Sequence, residues 1–107
     1  MPNPCPVGRR ALANVPELAN DPFLARQPQV SGPKIDEMMK RMQNGTWNWA
    51  GREIKCNGNV IMDGHHRYIA ARLAGIEPVM VASTEPFTRT FSWAQLVVDP
   101  IRWPGGY

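Results

Sequence analysis

The sequence predicts an α/β (α+β) fold in which helices cover a small mixed β-sheet, and three observations support this prediction. The chain has 107 residues, which is enough for one hydrophobic core and too few for two. An apolar stripe at helical spacing precedes two short strand-like segments joined by Asn57-Gly58-Asn59. A strand, a glycine turn and a second helical pattern then follow over Val60–Gly75. Helical and strand patterns in this order are typical of a sheet covered by helices.

The composition is that of a globular protein with a mildly basic surface. Hydrophobic residues make up 43% of the chain and charged residues 20%, which are ordinary values. The net charge of +3 is compatible with nucleic acid or a nucleotide as a partner but does not require one. No membrane is expected as a partner, because no apolar run approaches the ~18 residues of a membrane span. No signal peptide is recognisable, so we expect the chain to act in the cytoplasm, either as it stands or as a segment of a longer protein.

Residues 1–32 are predicted to form a proline-rich arm, and residues 33–107 the catalytic domain. The prolines crowd into the first third of the chain, and few periodic signals accompany them, so the arm either lies on the core or is partly mobile. Cys5 and Cys56 lack the spacing of a zinc site. They either form one disulfide or remain two unpaired thiols.

Pro33–Asn44 is predicted to be the first helix. Ser31 supplies a cap and Gly45 a stop. The residues that form one apolar stripe, and are expected in the core, are Ile35, Met38, Met39 and Met42. In the following loop, Trp47 and Trp49 either pack as core or lid residues or leave one ring at a rim, where it could stack on a nucleobase.

The second half of the domain begins with a hairpin of Arg52–Cys56 and Val60–Met62, since Asn-Gly between alternating segments favours a tight turn. A helix follows from about His65 and ends before Gly75. Glu77–Ala82 is predicted to be a strand that returns to the sheet by a right-handed parallel crossover.

Towards the end of the chain, Ser92 is expected to cap a short helix over Trp93–Asp99, stopped by Pro100. Ile101–Tyr107 is expected to trail off as an aromatic, glycine-rich tail.

The candidate functional residues lie at the junction of strand and helix, in the segment Asp63-Gly64-His65-His66-Arg67. Gly64 lets backbone approach a ligand without a Cβ, and the first-turn N–H groups of the helix favour an anion. Arg67 offers a planar fork for phosphate oxygens. The predicted phosphate-binding residues are therefore Gly64, His65, His66 and Arg67.

The candidate catalytic residues are His66, Asp63 and His65. His66 could donate to phosphate or shuttle a proton. Asp63 could bind a divalent metal, orient His66, act as a base, or simply cap the helix. Asp63 and Glu53 are the candidates for holding Mg²⁺, the alternative for Glu53 being a solvated acid. A zinc ion shared by the two histidines is not expected, because helix neighbours diverge by about 100°.

The order of elements over residues 33–82 resembles the ParB/sulfiredoxin superfamily, in particular its ParB-like nuclease domains. The resemblance rests on the Asp63–Arg67 box, which opens a helix, and on the Ala70-Ala71-Arg72-Leu73-Ala74-Gly75 segment that ends it. It covers about half of the chain. It implies a nucleoside triphosphate such as ATP over this turn, with its phosphates held by backbone N–H groups, histidine and arginine.

Two departures narrow what the resemblance implies. His65 stands where sulfiredoxins carry their cysteine nucleophile, so sulfinic acid reduction is not expected. The segment after Ala82 is too short for the DNA-reading and dimerisation domains of partition proteins, so chromosome partition is not expected either.

Three functions remain as hypotheses. The first is a small nuclease, a phosphodiester hydrolase resembling the C-terminal toxin module of polymorphic toxins, which implies secretion or delivery within a larger effector and a cognate immunity protein as partner. The second is a nucleotide-dependent ATPase or phosphotransferase of the sulfiredoxin or serine-kinase type. The third is a non-catalytic protein-binding module. Whether the substrate is DNA, RNA or a free nucleotide stays open.

Overall fold

The computed structural model describes Leu18 and residues 21–107 of the chain, and the α/β class predicted from the sequence is confirmed. The elements in chain order are β1 Leu24–Ala25, β2 Gln29–Ser31, α1 Gly32–Gln43, β3 Ile54–Asn57, β4 Val60–Asp63, α2 His65–Ala74, β5 Met80–Ala82, a 3₁₀ helix Trp93–Gln95 and β6 Val97–Asp99. None of the helices in this part of the chain is long and apolar enough to cross a membrane.

The main sheet has four strands in the order β1-β4-β3-β5, and β2 and β6 form a separate parallel pair. β1 runs parallel to β4, β4 antiparallel to β3, and β3 parallel to β5. Residues 24–31, which fall within the predicted N-terminal arm, therefore supply a strand to each sheet. Most of that arm, including Cys5, lies outside the described residues, so the pairing of Cys56 stays a prediction.

Helix α1 forms for the reasons that the sequence indicates. The Ser31 hydroxyl caps it by accepting a hydrogen bond from the Lys34 N–H at 3.5 Å, and proline occupies the first turn. The four predicted stripe residues are all buried, and they pack with α2 over the sheet. The predicted position of this helix and its core face are confirmed to within one residue.

The β3–β4 hairpin is also confirmed. Asn57 pairs with Val60, so Gly58 and Asn59 form a two-residue turn. Gly58 has a φ of +60°, the left-handed conformation that such turns require and that glycine adopts at little cost. This hairpin places the end of β4, Asp63, directly before α2.

The predicted parallel crossover from β4 through α2 to β5 is wrong. A strand does follow α2, but it pairs in parallel with β3 and is therefore antiparallel to β4. Both sides of β4 are occupied, by β1 and β3, so the returning chain joins the outer side of β3. Residues 76–79, which belong to no helix or strand, connect α2 to β5.

The predicted helix over Trp93–Asp99 is wrong beyond its first turn. Ser92 and Gln95 form a capping box, as the position of Ser92 indicates, but only Trp93–Gln95 is helical. Val97–Asp99 pairs with β2 instead, because β-branched residues suit a strand and β2 offers an unpaired edge.

The C-terminal tail, Ile101–Tyr107, packs on α1 rather than trailing off. The Ser31 hydroxyl donates to the Ile101 carbonyl at 2.9 Å and accepts from the Trp103 N–H at 3.2 Å. Glu37 binds Arg102 at 2.7 Å and the Tyr107 hydroxyl. The tail is thereby held beside the N-terminal end of α1.

Candidate functional site

The turn between β4 and α2 has the geometry that an anion-binding helix terminus requires. Gly64 adopts a left-handed conformation with φ +89°, and a Cβ at this position would lie 3.3 Å from Ile54 Cγ1. No described side chain caps α2, so its first-turn N–H groups are left for a ligand or water. Gly64 is therefore required both by the turn and by the close approach of β3.

His65 is buried, and its ring forms a hydrogen bond that joins α2 to the segment after β1. Its ring is 3% exposed, and Nε2 accepts a hydrogen bond from the Arg26 N–H at 2.9 Å. Burial, reinforced by the neighbouring His66, lowers its pKa to about 4, although a hydrogen bond to the Ile61 backbone acts in the opposite direction. His65 therefore joins α2 to the segment after β1, and because it also lines the polar cavity described below, its role in phosphate binding stays a prediction.

His66 forms a similar hydrogen bond that joins α2 to the N-cap of α1. Its Nε2 accepts from the Ser31 N–H at 2.9 Å, and Trp103 packs edge-on against the ring at 5.2 Å. Burial lowers the pKa of His66 to about 4, and the charges of Lys34 and Arg67 act in the same direction. The neutral ring therefore carries its proton on Nδ1, where it can donate.

Lys34 is a site residue that sequence reasoning missed. It is only 9% exposed, and no described carboxylate forms a salt bridge with it. Burial lowers the pKa of Lys34, as do the charges of Arg102 and Arg67, while Glu37 opposes them. The signal that could have found it is its position four residues before Met38, at the edge of the apolar stripe.

These residues meet in a polar cavity of about 160 Å³ between the N-terminal ends of α1 and α2. We call it the phosphate cavity; its lining includes Gln27, Lys34, Asp63, Gly64, His66, Arg67 and Tyr107. Arg67 is oriented by donating from Nη1 to the Glu53 carbonyl at 3.1 Å, and it too forms no salt bridge with a described carboxylate. Two cationic side chains thus face one acidic side chain, Asp63, beside an uncapped helix terminus.

Asp63 lies exposed at the end of β4, opposite Lys55. No hydrogen bond joins Asp63 to His66 among the described residues, and the α2 cap is Gly64 itself. Of the roles that the sequence leaves open to Asp63, metal binding and proton acceptance therefore fit its position best.

The Glu53 carboxylate is engaged by backbone, and a metal site shared by Glu53 and Asp63 stays a prediction. Both Glu53 carboxylate oxygens accept from the Gly51 N–H, at 3.1 and 3.2 Å. Asp63 instead shares a second cavity, of about 490 Å³, with Glu85, which sequence reasoning also missed. Among residues 21–107 and Leu18, no three His, Cys, Asp or Glu side chains are grouped to hold a metal ion.

The tryptophan loop lies behind the C-terminal tail. Trp47 and Trp49 pack edge to face with centroids 5.5 Å apart, and Tyr107 lies 6.1 Å from Trp47. Because Tyr107 lines the phosphate cavity, the two tryptophans support its wall. This arrangement fits the packing role rather than the stacking role.

Comparison with known protein families, curated proteins and solved structures found no match to this chain. The resemblance to the ParB/sulfiredoxin superfamily thus stays a prediction, and the site has to be interpreted from its own geometry.

Proposed function

We propose that this chain is a phosphate-handling enzyme, a small nuclease that hydrolyses phosphodiester bonds. The observation that carries the proposal is the convergence of Lys34, Arg67 and the uncapped first turn of α2 on one polar cavity of about 160 Å³. Placing two cations side by side, one of them buried, is unfavourable unless an anion joins them. A phosphate group supplies that anion and matches the planar guanidinium of Arg67.

A phosphodiester within a chain is accommodated because the phosphate cavity adjoins a second cavity. The two cavities share Gln27, Asp63 and His65 among their lining residues. A phosphate held near Asp63 therefore has room for a nucleotide on the side of the second cavity. The cations Arg26 and Lys55 line the second cavity and would face the flanking backbone.

The proposed mechanism is in-line attack by water on the bound phosphorus. Asp63 accepts the proton of the attacking water and a P–O bond forms. The opposite P–O bond breaks, and the leaving oxygen keeps its electron pair and takes a proton from solvent. Lys34, Arg67 and the α2 N–H groups stabilise the charge that develops on the other phosphate oxygens. If Mg²⁺ accompanies the substrate, Asp63 and Glu85 are the carboxylates of the second cavity that would hold it.

A nucleotide-dependent ATPase or phosphotransferase is the second candidate, and the size of the cavities favours it. The phosphate cavity is small and is bounded by Gly106 and Tyr107, as a pocket for one terminal phosphate would be. The second cavity, at about 490 Å³, falls within the ~300–1,000 Å³ range of small-ligand sites, so a nucleoside could occupy it.

A toxin role extends the nuclease proposal and has its own test. A nuclease delivered within a larger effector would harm bacteria that produce it unless an immunity protein covers the site. Expression of the wild-type chain in bacteria is then expected to stop growth, and Arg67→Ala is expected to restore it. Harmless expression at high yield would contradict the toxin role.

The enzymatic proposal is tested by incubating the purified chain with plasmid DNA, single-stranded DNA, RNA and labelled ATP, with and without Mg²⁺. Lys34→Met and Arg67→Ala are expected to lower cleavage of nucleic acid at least ~100-fold, in line with the loss of a charge-stabilising donor. Lys40→Ala, on the exposed face of α1, is the matched control and should cleave like wild type. ATP turnover with intact nucleic acid would instead support the second candidate, and absence of both reactions would refute the enzymatic proposal.

A further inference from the structure

The phosphate cavity continues into a longer trough on the protein surface. Its neighbour, the second cavity, shares Arg26 and Pro28 with a third cavity of about 480 Å³. We call this third one the aromatic cavity, because Phe87 and Phe91 line it together with Arg89. The trough thus runs from the N-terminal end of α2, past residues 26–28, to the segment 86–91.

The aromatic cavity presents ring faces and a cation rather than a closed apolar pocket. Phe87 is 40% exposed although it is large and apolar. The Arg89 guanidinium lies 5.2 Å from the centroid of the Phe91 ring. An exposed aromatic ring beside an arginine is a combination on which nucleobases stack, whatever their sequence, and Phe87 is the exposed ring here.

One wall of this cavity is fixed to the sheet, so Phe91 is positioned before a ligand binds. Phe91 and Ala25 exchange two backbone hydrogen bonds of 2.8 Å, which attach the segment to β1. Arg26 and Glu85 form a salt bridge of 3.1 Å at the border with the second cavity. Both of these side chains are well exposed, so their pairing contributes little and a phosphate can compete for Arg26.

We propose that the aromatic cavity is a base-stacking subsite, and that the substrate is therefore a single-stranded polynucleotide. The inference rests on the proposed phosphate site, since the subsite would hold a nucleotide further along the strand whose phosphate occupies that site. Bases in a duplex are paired and stacked on each other, so they cannot stack on Phe87 without first being unpaired. Arg26, Lys55 and Arg89 place cations along the trough for the connecting backbone.

Binding of short oligonucleotides tests this subsite separately from the phosphate site. Affinities would be measured for a fluorescent single-stranded oligothymidylate of about six nucleotides, its RNA counterpart, a duplex of the same length and inorganic phosphate. Phe87→Ala is expected to weaken single-strand binding about 10- to 100-fold, the usual loss when one stacking ring is removed. Phe87→Trp should retain the affinity. Val97→Ala, which truncates an exposed apolar side chain on β6, should have no effect.

The outcomes separate the two proposals. Phosphate binding that is equal in wild type and Phe87→Ala, with weaker single-strand binding in the variant, supports the subsite. Unchanged single-strand binding in Phe87→Ala, or a duplex that binds as tightly as the single strand, would overturn the subsite and leave the phosphate site standing. If wild type binds neither inorganic phosphate nor any oligonucleotide, the proposed function fails and the subsite with it.

Discussion

Replacing Gly64 by alanine perturbs the turn on which the proposed phosphate site is built. Gly64 has φ +89°, where a residue with a Cβ loses about 1–2 kcal/mol. The new Cβ would also lie 3.3 Å from Ile54 Cγ1 and 3.4 Å from Arg67 Nη1. Ile54 is fully buried, so the crowding is expected to add at least about 1 kcal/mol. The total expected loss in the free energy of unfolding is about 2–4 kcal/mol.

Gly75→Ala is the matched control for this substitution. Gly75 ends α2 with φ +72°, and a Cβ there would have no heavy atom within 4 Å. This variant should lose only the conformational part, about 1 kcal/mol. Urea denaturation followed by tryptophan fluorescence gives both free energies, and calorimetric titration with inorganic phosphate gives the affinities. We expect Gly64→Ala to be the less stable variant and to bind phosphate more weakly, since relief of the crowding against Ile54 moves the turn that carries the first N–H groups of α2. Equal stabilities and equal affinities would refute this reasoning.

Three further predictions concern the buried and hydrogen-bonded residues around the cavity. His65 and His66 each have a pKa of about 4 in the folded chain against an ordinary value of 6.5, so the unfolded chain binds more protons between these values. Their contribution to stability is therefore complete above about pH 6.5 and is lost as the pH falls towards 4, by up to ~1.4 kcal/mol per pH unit for each histidine. Urea midpoints that do not fall over this range would contradict the buried, neutral state of the two rings. Lys34→Met removes a buried cation that has no carboxylate partner among the described residues. The substitution should therefore leave the free energy of unfolding unchanged or raise it by about 1 kcal/mol, while it weakens phosphate binding. A large loss of stability on thermal denaturation would contradict this prediction. Ser31→Ala removes the α1 cap and both hydrogen bonds to the C-terminal tail. The free energy of unfolding should therefore fall by about 2 kcal/mol, and amide hydrogen exchange in the tail should become faster. Unchanged exchange would contradict the packing of the tail on α1.

The elements that the sequence predicts correctly are those specified by nearby residues. Helix α1 is defined by its cap at Ser31 and its apolar stripe, and the hairpin by Asn57-Gly58-Asn59. Helix α2 is flanked by the cap residues Gly64 and Gly75, both left-handed as the motif requires. Each of these signals lies within a few residues of the structure it determines.

The errors involve partners that are distant in sequence. Whether Val97–Asp99 becomes a strand depends on β2, almost 70 residues earlier along the chain. The direction of β5 depends on which sheet edge is unoccupied, and no pattern within β5 records that. Periodicity describes one segment at a time, so it cannot supply this information.

The candidate site likewise contains residues that the local motif identifies and residues whose role depends on contacts distant in sequence. Gly64 and Arg67 could be identified from the local motif, and both line the phosphate cavity. The hydrogen bond of His65 to Arg26 spans 39 residues, so the motif alone could not show that this ring is held by backbone. Lys34 joins the cavity only because α1 packs its first turn against that of α2.

Direct binding of inorganic phosphate tests the central claim, that Lys34, Arg67 and the uncapped first turn of α2 form a phosphate site. Calorimetric titration at neutral pH would compare wild type with Lys34→Met, Arg67→Ala and the exposed control Lys40→Ala. We expect wild type and the control to bind phosphate with the same affinity, and each cavity variant to bind at least ~10-fold more weakly, as for the loss of a charge-assisted hydrogen bond. Absence of binding by wild type, or equal affinities in all four proteins, would contradict the account.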